Sequence, residues 1–546
     1  MPDSDPIAEL RGALNDAAQS LAGQELGTEP GLERPPQAEH GDYSSNAAMM
    51  LAGRLGEPPR EVAERLRAEL EQMLGKRVDG IEVAGPGFVN LFLSTHWYRE
   101  AIAGLVVAGE DADLRIAPDA QRVLVEFVSA NPTGPLTVAN ARGGAYGDSV
   151  ARLLEAKGHE VGREFYSNDV GGQIDRFGES IAASMSGAPA PEDGYEGEYV
   201  AELAERLKGE GLDASDTDAL GRRGAELMLD TIRESLLRYG VEFDTWASQR
   251  SFEESGAVDA AIEKLREQGH SFESEGAVWL RTTTFGDDKD RVLLRSDGEP
   301  TYFASDIAYH LDKLDRGFEH LIDVIGSDHH GYVPRMQAAF EALGQDREAF
   351  EAKIMQFVHV VERGERSQMS KRRGEFVTLD ELVDDIGVDA TRFFMLQRSH
   401  DSAIDLDLAL ARQQSQDNPV YYVQYAHARI ASILRKAESE GVDVEAALGA
   451  DLSAVSAPVE GSERALVKRL LELPDEVTEA AERRAPHRLC AYSGTVAADF
   501  HAFYRDCKVV GAGPRVEEAR LALCVGAKTT IAAALALLGV SAPERM

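Results

Sequence analysis

Five short stretches of the chain carry residue types suited to a nucleotide, a cation or a nucleic acid. The first is Asn131-Pro132-Thr133-Gly134-Pro135-Leu136-Thr137-Val138-Ala139-Asn140, between a strand-like run at 123–128 and an alanine- and glycine-rich helix expected over about 139–156. Small residues there let a nucleotide approach the backbone. The helix start beyond offers free N–H groups and a positive dipole end to phosphates. A plain turn between strand and helix explains the same residues equally well. The second is Met369-Ser370-Lys371-Arg372-Arg373, followed by Gly374 and Phe376. A hydroxyl, a lysine and arginines in a glycine-bearing loop suit a triphosphate, with lysine neutralising charge on a departing pyrophosphate. The competing reading is a solvated basic patch.

Gly326-Ser327-Asp328-His329-His330 follows a strand-like run at 321–325. No third ligand stands nearby at a zinc spacing, so a metal site is not expected. The C-terminal end of a strand is where α/β sheets hold ligands; an aspartate there suits a ribose hydroxyl and a histidine suits phosphate or base. In Tyr302-Phe303-Ala304-Ser305-Asp306, the tyrosine and aspartate are one helical turn apart on one face. Phe303, Ile307, Leu311 and Leu314 mark the buried face beside them. The pair fits a cation pocket, against the plainer alternative of a surface aspartate. Last, Tyr422, Tyr425 and Arg429 share one face of an expected helix. Aromatic and guanidinium planes together make a platform for unstacked bases, although packing between helices would use the same spacing.

The elements that must position these residues fall into three segments. At about 150 residues per domain, 546 residues suggest three or four domains, and 43% hydrophobic residues supply their cores. Residues 1–115 read as a small α+β domain. It has a helix through Ile7, Leu10, Leu14, Ala17 and Leu21, a second helix capped by Ser44 or Ser45, and two strands about Gly85-Pro86-Gly87. Residues 116–410 alternate strand, loop and helix, the grammar of a doubly wound parallel sheet, with an insertion near 189–300. Residues 411–546 read as an all-α bundle, with helices through Val420–Leu434 spacing and over about 463–485, 487–508 and 514–539.

Charge narrows the function classes. The net charge of −38 excludes a protein that coats nucleic acid by bulk attraction. Residues 411–546 carry 16 Lys+Arg against 18 Asp+Glu, a net of −2, leaving −36 for residues 1–410. A polyanion would therefore be met at the nearly neutral bundle. The acidic start has no secretory pattern, and the longest apolar stretch, 531–540, is about half a membrane span. A soluble cytoplasmic protein is expected. The three cysteines, Cys490, Cys507 and Cys524, suit buried reduced residues, not a disulfide framework or zinc site.

Taken in order, these stretches resemble a bacterial-type arginyl-tRNA synthetase, a class I aminoacyl-tRNA synthetase. The resemblance extends from His40-Gly41-Asp42-Tyr43 to the terminal Ser541-Ala542-Pro543-Glu544-Arg545-Met546. It implies an α/β fold: a Rossmann-like catalytic domain, an N-terminal α+β domain touching the tRNA elbow, and a C-terminal all-α anticodon-binding bundle. It implies an enzyme that ligates L-arginine to tRNA(Arg) through arginyl-adenylate, with Mg²⁺ carried by ATP and no tightly bound metal. The H-I-G-H signature of the family corresponds to Thr137-Val138-Ala139-Asn140, and K-M-S-K to Gln368-Met369-Ser370-Lys371. Thr137, Asn140, Ser370 and Lys371 then take catalytic roles. Thr133, Gly134, Ala139, Gly326, Asp328, Met369 and Lys371 would bind ATP, and Glu126, Asn131, Tyr302 and Asp306 would bind arginine. Phe88 and Asn90 would face the D-loop, and Tyr422, Tyr425 and Arg429 the anticodon. Neither DNA nor a membrane is an expected partner, and a monomer is expected. The chain departs from the family where both signature histidines are Thr137 and Asn140, the glycine is Ala139 and the first lysine is Gln368. A tRNA-binding paralogue without activity, or a class I synthetase for another amino acid, are the rival readings.

Overall fold

The computed structural model describes residues 5–108, 120–327, 331–362, 365–366, 377–513 and 515–546. Helix α1 (Pro6–Ala22) starts where the Asp5 carboxylate accepts the Ile7 N–H and ends at Gly23 in the left-handed region. Strands β1 (Leu32–Glu33) and β2 (Tyr43–Ser45) precede helices α2 (Ala47–Leu55) and α3 (Pro59–Leu74). Strands β3 (Val78–Ala84) and β4 (Phe88–Leu93) complete an antiparallel sheet of order β1-β2-β4-β3. Ser44 and Ser45 thus lie in a strand, and Asn46 takes the position before α2. Pairing of Tyr43 with Leu91 and Ser45 with Val89 holds them extended, yet the Ser45 hydroxyl still accepts the Ala47 N–H at the start of α2 at 3.2 Å, capping the helix from within the strand. Helix α4 (Thr95–Ala108) leaves this domain and packs on the C-terminal bundle.

The second segment begins with β5 (Arg122–Glu126), α5 (Val138–Ala156) and β6 (Glu160–Ser167). Helices α6 (Gly172–Ser186), α7 (Glu198–Gly209) and α8 (Thr217–Arg238) form a subdomain with its own apolar cluster, after which the chain returns as β7 (Thr245–Ser248). Helices α9 (Gln249–Ser255) and α10 (Ala257–Glu267) lead to an antiparallel sheet of β8 (Ser271–Ser274), β9 (Ala277–Leu280) and β10 (Arg291–Leu294). Next come α11 (Tyr302–Asp315), β11 (His320–Gly326), α12 (Tyr332–Ala342) and β12 (Phe350–Met355). The central sheet has the order β12-β11-β5-β6-β7, every pair parallel, as the alternation of strands and helices implied. Helix α5 presses so closely on the residue after β5 that a Cβ at Gly147 would lie 2.2 Å from the Phe127 ring. Strands β13 (Val358–Glu362), β14 (Glu365–Arg366) and β15 (Ile404–Asp407) form a third small sheet around α13 (Leu379–Leu396).

After α14 (Leu408–Ala411) the chain is helical: α15 (Pro419–Ser439), α16 (Val444–Leu448), α17 (Gly461–Leu470), α18 (Leu473–Glu482), α19 (His487–Asp506) and α20 (Val516–Leu537). The single helix expected over 463–485 is two, α17 and α18, with Pro474 at the start of the second, where a missing N–H does no harm. Helix α20 has the length and hydropathy of a membrane span, but α4, α15, α16 and α19 surround it and Leu521, Leu523, Cys524 and Ile531 are fully buried. All three cysteines are free and buried.

Candidate active site

The centre of the parallel sheet carries a row of three carboxylates. Glu126 on β5 stands in register with Asp323 on β11 and with Glu164 on β6. Neighbouring strands lie about 4.8 Å apart, so like charges here repel strongly unless compensated. Compensation comes from α11. The Lys313 ammonium donates to Glu126 Oε2 at 2.5 Å and to Asp323 Oδ1 at 3.1 Å, and lies 4.2 Å from the centre of the Tyr309 ring. The Tyr309 hydroxyl donates to Glu164 Oε1 at 2.6 Å, and Arg316 pairs with Glu164 Oε2 at 2.7 Å. His310 places one ring nitrogen 2.8 Å from Asp323 Oδ2 and the other 2.7 Å from the Asp306 carbonyl oxygen. Burial opposes ionisation of Asp323, yet Lys313 and His310 hold its carboxyl well below the usual range. Burial moves Glu126 the other way, upward, against the pull of Lys313.

Asp306 differs from its neighbours. Among the described residues no hydrogen bond reaches its carboxylate. It keeps some accessible surface but is ringed by protein, and this desolvation pushes its carboxyl up to about 6, with His310 and Arg335 pulling down and Glu126 and Asp323 pushing up. Tyr302, one turn earlier, is 69% exposed and forms part of the wall of a 470 Å³ cleft with Gln249, Glu253, Arg295, Thr301 and Ser305. The two residues share a helical face, but Tyr302 lines the cleft whereas Asp306, half-buried, is not among the residues that line it. Asn131 donates from Nδ2 to Gln173 Oε1 at 2.7 Å, fixing the loop to α6.

The loop from β5 to α5 is bent. Val128 and Ser129 have φ of 69° and 35°, a conformation that a β-branched residue rarely adopts. The bend lets Ser129 Oγ donate to Glu126 Oε1 at 2.8 Å while accepting the Tyr166 N–H at 3.2 Å. Thr133 and Gly134 are buried, and Ala139 is exposed at the first turn of α5. Asn140 Oδ1 accepts from the Thr137 N–H at 2.9 Å and from its hydroxyl at 3.0 Å. That arrangement fixes the amide orientation, because a backbone N–H requires an acceptor. Thr137 spends its hydroxyl proton on Asn140, and the Asn140 NH₂ is the group left with donors to offer.

Residues 377–379 run beside this helix start. The Val138 N–H donates to the Val377 carbonyl at 3.2 Å, the Leu379 N–H to the Leu136 carbonyl at 2.9 Å, and Thr137 bridges Thr378. The chain emerging from the Met369-Ser370-Lys371 stretch is thereby tied to the Thr137-Asn140 turn. Gln368, Met369, Ser370, Lys371 and Asp328 themselves lie outside the described residues. Gly326 is exposed at the end of β11, on the same edge of the sheet.

In the bundle, a 530 Å³ groove is lined by Tyr425, Arg429, Arg435, Lys436, Tyr504 and Arg545, with Glu544 and Met546 at its edge. The Arg429 guanidinium lies 4.7 Å from the centre of the Tyr504 ring and donates to the Tyr425 hydroxyl at 2.8 Å. Tyr425 stacks parallel to Tyr421, with ring centres 6.2 Å apart. Tyr422 packs behind them against His501.

Models of three domain families match the chain: the arginyl tRNA synthetase N terminal domain over residues 8–93, the tRNA synthetases class I (R) catalytic domain over 199–413, and the DALR anticodon binding domain over 423–546. The arginine–tRNA ligase of Bacillus licheniformis is 45% identical over 531 residues, 94% of each chain. That of Symbiobacterium thermophilum is 44% identical over 554 residues, 99% of each. The chain belongs to the arginyl-tRNA synthetase family. Among solved structures, an arginyl-tRNA synthetase from Campylobacter jejuni superposes with a TM-score of 0.76 at 34% identity, covering 83% of this chain and all of the other. The Thermus thermophilus enzyme, at 24% identity, shares the fold over 98% of this chain with a TM-score of 0.74.

Membership of the synthetase family directs attention to the N-terminal hairpin. Phe88 is 40% exposed where β4 leaves the turn. Asn90 is 3% exposed, and its Oδ1 accepts the Ser44 hydroxyl at 2.7 Å. Of the two residues expected to face the D-loop, Phe88 alone presents its side chain to solvent; Asn90 lies within the sheet because β2 pairs across it. The sequence reading missed His310, Lys313, Asp323 and Glu164 around Glu126, and Tyr504 in the groove. For the α11 residues a signal was present. Asp306, Tyr309, His310 and Lys313 recur at helical spacing, so four polar groups mark one face.

Proposed function

We propose that the chain ligates L-arginine to tRNA(Arg) at the expense of ATP, releasing AMP and diphosphate, and that the α11 cleft holds the arginine side chain. The observation that carries this reading is the Asp306 carboxylate, without a hydrogen bond among the described residues and close enough to Glu126 and Asp323 to feel their charge. A planar guanidinium can bond a carboxylate through two N–H groups, which a lysine ammonium cannot match. Glu126, already bonded to Lys313 and Ser129, keeps lone pairs for a share of the same cation.

The arginine carboxylate attacks the α-phosphorus of ATP, and the bond to pyrophosphate breaks. The terminal 2′-hydroxyl of tRNA then attacks the aminoacyl carbonyl, and AMP leaves. No protein nucleophile is required, so positioning and charge stabilisation do the catalytic work. The Asn140 amide at the start of α5 would face the phosphates, Gly326 and Asp328 the ribose, and Lys371 the departing pyrophosphate. Mg²⁺ would arrive on the nucleotide. Tyr425 and Arg429 would meet anticodon bases, and the surface around Phe88 the tRNA elbow. We place the protein in the cytoplasm as a monomer. The test is ATP–pyrophosphate exchange with and without the matching tRNA. Arginine-dependent exchange when tRNA is present supports the assignment. Dependence on another amino acid would reassign the pocket, and no exchange with any amino acid would leave an inactive tRNA-binding paralogue.

A further inference from the structure

The stretch His40-Gly41-Asp42-Tyr43 takes no part in the cleft or the groove, yet it is among the most tightly bonded places in the molecule. Gly41 has φ of +87°, and a Cβ on it would lie 2.6 Å from the Leu91 carbonyl oxygen. Only glycine lets the Asp42 N–H reach that oxygen, at 2.8 Å. The Asp42 carboxylate then gathers donors from three elements. Oδ2 accepts the Leu93 N–H at 2.8 Å, and Oδ1 accepts the Tyr98 hydroxyl at 2.6 Å and the Lys468 ammonium at 2.8 Å. Arg464, one turn before Lys468 on α17, donates to the Leu93 carbonyl at 3.1 Å and stacks over Tyr98 at 4.8 Å. The Asp42 and Lys468 side chains are only 12% and 13% exposed. Burial opposes ionisation of Asp42, but bonds from Lys468 and Tyr98 hold its carboxyl below the ordinary value.

This cluster joins the N-terminal sheet to the anticodon-binding bundle. Other polar contacts cross beside it, Arg34 pairing with Glu472 at 3.2 Å and buried Arg99 donating to the Ala457 carbonyl at 3.3 Å, alongside apolar packing of α4 on the bundle. A buried ion pair adds little net stability compared with apolar packing, so its distinctive effect is to fix geometry. Asp42 holds the Leu93 end of β4, and Phe88 sits at the other end, about 17 Å along the strand.

We propose that Asp42, acting through Lys468 and Arg464, is a positioning residue for tRNA. It locks the N-terminal sheet to the bundle so that the Phe88 surface and the Tyr425–Arg429 groove engage one RNA at a fixed separation. This rests on reading both surfaces as tRNA contacts. When two contacts are held rigidly at the right span, the second forms as an intramolecular event, and loosening the span weakens binding without altering either contact.

The test compares an intact tRNA(Arg) transcript with one whose D-loop is replaced by a short loop, in charging by the full-length protein. The wild type should prefer the intact transcript by at least about tenfold in kcat/KM. Asp42→Asn should raise KM for intact tRNA about tenfold and nearly abolish that preference, with arginine KM unchanged at saturating tRNA. Lys468→Met, which spares the bonds Asp42 makes within its own domain, should behave alike, and Lys468→Arg should restore most of the preference. If Asp42→Asn fails to fold, the two Lys468 variants decide. A preference retained in Lys468→Met, or an equal loss on both transcripts, would overturn the proposal. A wild type that charges tRNA with arginine but shows no preference would also overturn it, while leaving the function standing. A wild type that does not charge tRNA at all would instead sink the function.

Discussion

On α11, beside the cleft that Tyr302 and Ser305 line, Asp306 is ringed by protein and its carboxylate has no hydrogen-bond partner among the described residues. In the bundle groove, Arg429 is half-exposed and already satisfied, stacked on Tyr504 and bonded to the Tyr425 hydroxyl. Under the proposed function, the difference follows from what each surface would bind. A small cation must be stripped of water and chosen over close analogues, so its site stores an unmet charge that only the right ligand relieves. The stored cost is about 3 kcal/mol for a carboxyl moved from 3.8 to about 6. A polymer spreads its contacts over many groups, so each can be content alone and contribute modestly.

Four outcomes would break or sharpen this contrast. The largest effect is expected beneath the pocket. Lys313→Met strips the cation from Glu126 and Asp323, and leaving buried charges unpaired should cost about 3–5 kcal/mol in urea unfolding. A variant as stable as wild type would mean the carboxylate row is compensated elsewhere. Next is the altered signature. Asn140→Leu should lower kcat of adenylate formation by about 2–4 kcal/mol, and Thr137→Val by less, because the threonine hydroxyl is already committed to Asn140. The reverse order would place Thr137 on the phosphate. In the groove, Tyr425→Ala should weaken tRNA by about 1–3 kcal/mol, with no effect on a minihelix lacking the anticodon stem. Equal damage with the minihelix would point to a packing role. The smallest effect is on stability against pH. Asp306 binds a proton more tightly folded than unfolded, so its ionisation destabilises the empty protein as pH rises from about 4 to about 6. Arginine should therefore raise Tm more at pH 7.5 than at pH 5, and an equal shift at both would contradict the unmet charge.

Much of the site was legible in the sequence. The strand–loop–helix unit at 122–156, the Tyr302/Asp306 spacing and the Tyr425/Arg429 face all follow local periodicity, which sequence displays directly. The carboxylate row was not legible, because Glu126, Glu164 and Asp323 meet only through the register of parallel strands far apart in the chain. Tyr302 shares a face with Asp306 as expected, but spacing cannot say that one side chain stands exposed on the cleft wall and the other is half-buried. That Ser44 and Ser45 lie in a strand was hidden because their pairing partner, β4, lies more than forty residues away. The Asp42 cluster was hidden for the same reason, its cation coming from α17.

The central claim is that the Asp306 carboxylate receives the guanidinium of arginine. It is tested most directly by arginine KM in the charging reaction from pH 5 to pH 8, for wild type and Asp306→Asn. Because the carboxyl takes up a proton near pH 6, wild-type KM should be flat above pH 7 and rise up to about tenfold per unit below 6. Asp306→Asn should start at least about tenfold higher, since a desolvated charge partner is lost, and lack the rise near pH 6. A wild-type KM that passes through pH 6 unchanged, or an Asp306→Asn protein with wild-type KM at pH 7.5, would contradict the assignment.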